Sequence, residues 1–262
     1  MRLLQIDAFA SEPFRGNPAA VCMLEAERDE QWMQSVAAEM NVSATAFPVP
    51  RDDGFALRWF TPVGEIPLCG HGTLAAAHAL WEEKILAHDE PARFHTKAGP
   101  LTATRAGELI ELDFPAIAEE SVEPPPGLLD ALGVTAAIHV GKNRLDYLVE
   151  VESDDIVRKL TPDHARLSRI VPRGVIVTSR ATGDEFDFVS RFFAPAAGLP
   201  EDPVTGSSHC CLAPYWSARL GKDAMVAFQA SARGGVVHVR VAGDRVKIAG
   251  RARTVLRGEL VV

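Results

Sequence analysis

Two short segments of the chain place reactive side chains beside glycines at the predicted start of a helix. One is Cys69-Gly70-His71-Gly72-Thr73, which follows Phe60-Thr61-Pro62; the other is Asp202-Pro203-Val204-Thr205-Gly206-Ser207-Ser208, which follows Phe193-Ala194-Pro195. Each copy predicts a strand, a tight turn and a helix. The first turn of a helix offers unpaired backbone N–H groups and a positive dipole end. The segments therefore predict one site, built between two similar halves, for an anionic ligand, most simply a carboxylate.

Composition and motif content exclude several kinds of partner. The 262 residues carry a formal charge of −8 and contain no long basic run, which argues against nucleic acid and against an anionic membrane surface. The four cysteines form no CxxC pair and show no zinc spacing, and the chain lacks GxGxxG and P-loop motifs. We therefore expect no metal and no cofactor. The N-terminus does not resemble a signal peptide and no apolar run reaches membrane-spanning length, so we expect a cytoplasmic protein.

The elements that must position the two segments do not follow strict βαβ alternation. Apolar spacing predicts helices over Asp29–Met40, Gly72–Glu83 and Gly206–Leu220, the last with a kink or break at Pro214. Strands outnumber helices, which favours an α+β fold of two similar domains with the site at their interface. The predicted domains are residues 1–116 plus about 250–262, and residues 125–249, joined by the proline-rich stretch Pro115–Gly127.

Structural roles compete with chemical ones for several of these residues. Asp202 or Thr205 could cap the second central helix, since both residue types are common at helix starts. Cys69 could simply pack, as buried cysteines usually do, and Asn17 could stabilise its own turn. His71 lies between two glycines in a turn that we expect to need unusual backbone angles, which favours a ligand or proton role for its ring.

The motifs as a set resemble those of the PhzF-like family, the phenazine-biosynthesis isomerases and their relatives. The likeness covers nearly the whole chain and is carried by Gly16–Val21, Glu39–Ser43, Phe60–Pro62, Cys69–Thr73, Arg191–Pro195 and Glu201–Ser207. It implies a fold like that of diaminopimelate epimerase. In that fold two domains each wrap a barrel-like sheet around a central helix, and the ligand occupies the cleft between them.

The resemblance also implies an activity and a set of site residues. Enzymes of this fold transfer protons at carbon without a cofactor, and many members of the family form homodimers. By motif match the catalytic positions fall on Asp202 and His71. Substrate-binding positions fall on Asn17, Ser43, Gly70, Gly206 and Ser207, to which we add the neighbouring Ala44, Gly72 and Thr205.

One position departs from the family pattern. The segment Asn41-Val42-Ser43 is normally followed by a glutamate that acts as the principal acid/base, and here Ala44 follows it. Cys69, His71 and Glu65 are the conceivable replacements, and a helix start can lower the pKa of a thiol such as that of Cys69. A symmetrical two-thiol racemase is not expected, because Pro203 stands where the second cysteine would be.

These observations leave three hypotheses for function. The first is a cofactor-independent isomerase or epimerase acting on a small carboxylate-bearing metabolite, impaired to the extent that Ala44 is not compensated. The second is a carboxylate-binding module on the same fold that has lost turnover. The third is a protein-interaction module with a vestigial cleft.

Overall fold

The computed structural model describes all 262 residues, and the chain divides into two compact units. Unit 1 comprises Met1–Asp113 and Ala249–Val262, and unit 2 comprises Phe114–Ile248. Strands outnumber helices, so the expected α+β class is confirmed. None of the helices combines the length and the apolar composition needed to cross a lipid bilayer.

Eighteen strands and six α-helices make up the two units. In the first half of the chain they are β1 (Arg2–Ala8), β2 (Asn17–Cys22), α1 (Glu30–Met40), β3 (Ala44–Arg51), β4 (Gly54–Thr61), β5 (Gly64–Ile66), α2 (Gly70–Glu82), β6 (Ala92–Thr96), β7 (Gly99–Ala106), β8 (Leu109–Pro115), β9 (Glu120–Ser121) and α3 (Leu128–Leu132). In the second half they are β10 (His139–Lys142), β11 (Asp146–Glu150), α4 (Asp154–Lys159), α5 (His164–Ile170), β12 (Gly174–Arg180), β13 (Phe188–Ala194), a 3-10 turn (Pro195–Ala197), β14 (Leu199–Asp202), α6 (Gly206–Leu220), β15 (Ala224–Gln229), β16 (Gly235–Ala242), β17 (Arg245–Gly250) and β18 (Ala252–Glu259).

Unit 1 is a curved sheet around the helix α2. The strands run in the order β18, β1, β2, β3, β4, β6, β7 and β8, with the pairs β2–β3 and β4–β6 parallel and the other pairs antiparallel. Helix α2 contacts β1, β2, β3, β7 and β18, whereas α1 packs on β3 and β4. Ten of the thirteen residues of α2 are buried, which is the pattern of a helix enclosed on nearly all sides. Its run Ala75-Ala76-Ala77 lets the strands approach closely.

Unit 2 repeats this plan around α6. Parallel pairs β11–β12 and β13–β15 alternate with antiparallel pairs along the sheet. The side chains of α6 bond to one sheet face: the Trp216 Nε1–H donates to Thr178 Oγ1 at 3.0 Å and the Tyr215 hydroxyl donates to Glu150 Oε2 at 2.6 Å. Helices α3, α4 and α5 contribute to a separate apolar core with residues such as Val149 and Val177.

Two local expectations for unit 1 were wrong. Helix α2 begins at Gly70 rather than Gly72, so His71 belongs to the first helical turn. Neither Gly70 nor Gly72 has a positive φ, so no unusual backbone angle explains the glycines that flank the histidine.

Pro214 does not break α6, which runs without interruption from Gly206 to Leu220. A proline has no N–H and so leaves the carbonyl four residues earlier without its helical donor. Here that carbonyl belongs to Cys210, and it accepts a hydrogen bond from the Ile117 N–H at 3.0 Å. A donor from a distant part of unit 2 therefore replaces the one that the proline lacks.

Candidate functional site

Cys69 is the N-cap of α2, and its thiol makes the capping bond. The residue has extended backbone angles (φ −142°, ψ 104°), and its Sγ accepts a hydrogen bond from the Gly72 N–H at 3.3 Å. Its carbonyl accepts from both the N–H and the hydroxyl of Thr73, at 3.0 and 2.6 Å. The start of α2 thus holds a buried thiol in a hydrogen bond with a backbone N–H of the first helical turn.

The imidazole of His71 lies against that thiol. Cys69 Sγ is 3.5 Å from Nδ1 and 3.7 Å from Nε2 of the ring. Burial lowers the pKa of His71 to about 4, because the charged imidazolium would lose its hydration. The ring is therefore neutral at neutral pH, and one of its nitrogens can donate a hydrogen bond while the other accepts one.

Trp59 and Cys69 approach Gly72 so closely that no side chain fits at this position. A Cβ at this position would lie 2.8 Å from Trp59 Cδ1 and 2.9 Å from Cys69 Sγ, so a side chain would displace one of them. The Trp59 side chain is buried, and its Nε1–H has no hydrogen-bond partner. Sequence reasoning did not single out Trp59; the glycine that accommodates it was the available signal.

Ala44 lies on the side of the sheet that faces α2. It is fully buried at the start of β3, in parallel register with Ala19 of β2. Residues two apart in a strand share a face, so Ala44 lies on the same side as Ala46, which pairs with Trp59 across β3 and β4. The two alanines are about 7 Å apart along the strand. A carboxylate at position 44 would therefore project toward α2.

Asn17 and Ser43 lie near the same end of the sheet as Ala44. Asn17 is the buried first residue of β2, and Ser43 is a half-buried residue immediately before β3. Because β2 and β3 are parallel, their first residues lie at the same end of the sheet. Unit 1 thus brings part of the predicted binding set to one sheet end.

Glu65 does not belong to this group. It pairs with Phe60, the strand neighbour of Trp59, so it lies on the opposite face of β4. Its carboxylate accepts two hydrogen bonds from Arg58, at 2.8 and 2.7 Å, and forms an ion pair with Lys97. Chiefly the Arg58 hydrogen bonds lower the pKa of Glu65 to about 2, which makes it a poor base. A groove of about 540 Å³ beside α1 is lined partly by Glu65 and contains none of the predicted site residues.

In unit 2, Asp202 ends β14 and is held by the residue that begins α6. Thr205 is the N-cap of α6, but its side chain makes no capping bond. Its hydroxyl instead donates to Asp202 Oδ2 at 2.6 Å. The sequence left open whether Asp202 or Thr205 caps this helix, and the Thr205 hydroxyl contacts Asp202 instead.

Ser207, in the first turn of α6 after Gly206, contacts a guanidinium that the sequence did not reveal. Arg173 reaches Ser207 Oγ with Nη1 and Nη2 at 3.4 and 3.3 Å. Its other edge binds Asp146, with Nε 2.7 Å from Oδ1 and a second contact from Nη2. Burial raises the pKa of Asp146, and Arg173 opposes that rise. Arg173 immediately precedes Gly174 of β12 and carries no motif that would mark it.

The predicted residues thus form two local groups. Cys69, Gly70, His71 and Gly72 belong to unit 1, and Asp202 and Thr205–Ser207 belong to unit 2. That they serve one ligand remains a prediction. The structure contains no group of three or more His, Cys, Asp or Glu side chains that could hold a metal ion, and all four cysteines are thiols.

The chain is similar to known proteins over nearly its whole length. The family model PhzC-PhzF, phenazine biosynthesis-like protein, matches residues 6–258. An uncharacterized isomerase from Halalkalibacterium halodurans is 52% identical over 259 residues, covering 98% of this chain and 97% of the relative. A crystal structure of a phenazine biosynthesis PhzF family protein from Enterococcus faecalis superposes with a TM-score of 0.95 at 42% identity, covering 100% and 99% of the two chains.

More distant structures share the fold. A hydroxyproline epimerase from Agrobacterium vitis aligns with a TM-score of 0.59 at 12% identity, over 98% of this chain and 91% of the epimerase. At that identity the likeness concerns the fold alone. The isomerase-named relatives and the family match, by contrast, support an isomerase-type function.

Proposed function

Because the chain belongs to the PhzC-PhzF family of phenazine biosynthesis-like proteins, we propose that it is a cofactor-independent isomerase that moves a proton on a small carboxylate-bearing metabolite. The observation that carries the proposal is the Cys69 thiol, which caps α2 and contacts a neutral imidazole. It provides a titratable group at the start of α2, the helix toward which a carboxylate at position 44 would project.

The two reactive groups take complementary parts in the proposed reaction. Asp202 removes a proton from a carbon atom of the ligand, and the electron pair left on carbon delocalises into an adjacent unsaturated group. Cys69 then donates its thiol proton to carbon at the position that completes the isomerisation. Protonated Asp202 and the Cys69 thiolate are reset by proton exchange with solvent, so the net reaction changes only the position or stereochemistry of one C–H bond.

The low pKa of His71 supports this assignment of roles. An imidazolium is disfavoured at its buried position, so the resting state is a thiol beside a neutral ring rather than a thiolate–imidazolium pair. Cys69 therefore begins the cycle as an acid. The Gly72 N–H, and an imidazole N–H of His71, stabilise the thiolate once the proton has left.

The anionic end of the substrate is assigned to the helix starts. Gly70 and Gly206 present backbone N–H groups in the first turns of α2 and α6. Such groups favour a carboxylate through hydrogen bonds and through the helix dipole. Asn17, Ser43 and Ser207 are the proposed side-chain contacts.

A second candidate is a carboxylate-binding module without turnover, and Ala44 is the observation that favours it. General acid–base catalysis contributes about 10²–10⁴-fold in rate, and a methyl group cannot supply it. The two candidates differ in whether Cys69 compensates for the missing carboxylate.

Solvent-deuterium incorporation separates the candidates. The protein, Ala44→Glu and the uncharged control Ala44→Gln would be incubated in heavy water with a panel of amino acids, hydroxy acids and dihydroaromatic carboxylates. The proposal expects exchange by the unaltered protein and at least tenfold faster exchange by Ala44→Glu, with no gain in Ala44→Gln. Deuterium exchange by Ala44→Glu alone would favour a carboxylate-binding module without turnover. Exchange by none of the three proteins would contradict the isomerase proposal.

A further inference from the structure

Gln229 encloses the backbone and the hydroxyl of Thr205 in a network of hydrogen bonds. It is the last residue of β15 and is fully buried. Its Oε1 accepts from the Thr205 N–H at 2.8 Å, and its Nε2 donates to the Asp202 carbonyl at 2.7 Å and to Thr205 Oγ1 at 3.2 Å. The amide has one orientation that fits, since a backbone N–H can only donate and a carbonyl can only accept.

The orientation of this amide determines where the Thr205 proton points. Thr205 Oγ1 accepts from Gln229, so its single hydrogen is directed to Asp202 Oδ2, 2.6 Å away. An N-cap threonine ordinarily uses its oxygen to accept from an N–H of the first helical turn. The side chain of Thr205 makes no such bond. Helix α6 therefore has no side-chain cap, and the Thr205 hydroxyl donates to the Asp202 carboxylate instead.

We infer that Gln229 is a positioning residue for Asp202: acting through Thr205, it holds Oδ2 in one direction and keeps the carboxylate from rotating. The inference rests on the proposed role of Asp202 in proton transfer. A carboxylate fixed in this way meets the ligand in one orientation, whereas a freely rotating one would be misaligned for part of the time. Because Gln229 is fully buried, solvent does not readily replace its hydrogen bonds in a variant.

Kinetics of deuterium exchange test the inference. Gln229→Met preserves the length of the side chain without its donors or acceptor, and Thr205→Val preserves the branched shape without the hydroxyl. Each is expected to lower kcat about tenfold with little change in KM. The double variant should be no slower than the slower single one, since both substitutions act through one hydrogen bond. Thr205→Ser, which restores the hydroxyl, should return kcat to within about twofold.

Ser231→Ala is the matched control. Ser231 lies two residues beyond Gln229, and its hydroxyl donates to the Pro203 carbonyl at 2.8 Å without touching the Asp202 side chain. An equal loss of kcat in Ser231→Ala would mean that any hydrogen bond of this region matters, and it would overturn the inference. Unchanged kcat in Thr205→Val would overturn it as well, including when Gln229→Met does not fold.

A measurement without turnover keeps this inference separate from the proposed function. A buried, hydrogen-bonded hydroxyl proton exchanges slowly enough to be followed by NMR, and the Thr205 signal should be present in the unaltered protein and lost in Gln229→Met. Loss of the signal in a Gln229→Met protein that keeps its fold supports the positioning role even if no carboxylate of the panel exchanges deuterium, in which case only the proposed reaction fails. Persistence of the signal in Gln229→Met would overturn the positioning role.

Discussion

The starts of α2 and α6 solve the same structural problem with different chemistry. At α2 the N-cap residue is itself the proposed reactive group: the Cys69 thiol accepts a hydrogen bond from the Gly72 N–H and contacts His71. At α6 the N-cap residue serves another side chain, since Thr205 gives its hydroxyl to Asp202 and leaves the helix without a side-chain cap. At α2 a single residue, Cys69, both caps the helix and has the proposed chemical role. At α6 the N-cap position and the proposed chemical role belong to two residues, Thr205 and Asp202.

The two units also differ in whether the N–H of a buried tryptophan has a hydrogen-bond acceptor. In unit 2 the indole of Trp216 donates to Thr178, whereas in unit 1 the buried indole N–H of Trp59 has no partner. A buried donor without an acceptor costs free energy. In unit 1 this cost falls beside the Cys69 thiol, since a Cβ at Gly72 would meet both Trp59 and Cys69.

We expect the largest effect from removing the Asp202 carboxylate beside the start of α6. Asp202→Asn should lower the rate of deuterium exchange by about 10²–10⁴-fold, since an amide is too weak a base to accept the proton. The exposed residue Asp155, substituted by Asn, is the matched control and should leave the rate unchanged. If Asp202→Asn retained full exchange, the division of roles between the two helix starts would be wrong.

The next effect breaks the close packing at α2. Gly72→Ala should lower the free energy of unfolding by about 1–3 kcal/mol, because the new methyl group would overlap Trp59 and Cys69. Gly64→Ala is the control, as a Cβ there would have no atom within 4 Å. Urea unfolding of both variants measures the difference, and equal stability of the two would show that the Trp59 contact yields without cost.

A pH-dependent effect is common to both helices. Burial lowers the pKa of His71 and of His209 to about 4 from an ordinary value near 6.5. Below pH 6.5 these two imidazoles bind protons in the unfolded chain but stay neutral in the folded protein. The free energy of unfolding therefore falls as the pH drops from about 6.5 to 4. Between pH 7 and 5 each histidine should account for about 2 kcal/mol of lost unfolding free energy.

Urea unfolding at the two pH values checks this expectation. His71→Asn should lose about 2 kcal/mol less unfolding free energy between pH 7 and 5 than the unaltered protein. His88→Asn, a substitution at an exposed residue, should lose as much as the unaltered protein. The acid-sensitive ion pair of Glu65 does not interfere, because its stabilisation is lost only below the ordinary pKa of a glutamate near 4.5. A pH dependence that is the same in His71→Asn and in the unaltered protein would contradict the assignment.

The smallest effect separates the two functions of Cys69. Cys69→Ala should cost about 1 kcal/mol in unfolding free energy, since it removes the cap of α2. Cys69→Ser should stay within about 0.5 kcal/mol of the unaltered protein, because a serine hydroxyl caps a helix well. Both should lose exchange activity, as a serine hydroxyl is a far weaker acid than a thiol. Equal exchange by Cys69→Ser and the unaltered protein would remove the thiol from the mechanism.

Sequence patterns predicted the elements well where the signal was local. The helix expected over Asp29–Met40 ends at Met40, followed by Asn41 in the left-handed region at φ 49°; α6 was expected over the range that it occupies. Patterns failed where a distant residue decides the outcome. Pro214 was expected to disturb α6, and only the position of Ile117 removes that expectation.

The same limit applies to the site. Cys69 was proposed from its place at a predicted helix start, and His71 and Asp202 were proposed from the resemblance to the PhzF-like family. Gln229 and Arg173 lie on or beside strands and contact the N-cap and the first turn of α6. No spacing in the chain connects them to that helix, since strand register brings them there. Their importance can be read only from the folded chain.

The bond between the Ile117 N–H and the Cys210 carbonyl also bears on the order of folding. A helix ordinarily completes its hydrogen bonds from neighbouring residues and can form early. Here the middle of α6 depends on a donor from a remote part of the sequence, so the helix cannot be fully hydrogen-bonded until a large loop has closed. We expect the segment around Pro214 to gain protection from hydrogen exchange late, together with the non-local strand pairs rather than with the rest of its own helix.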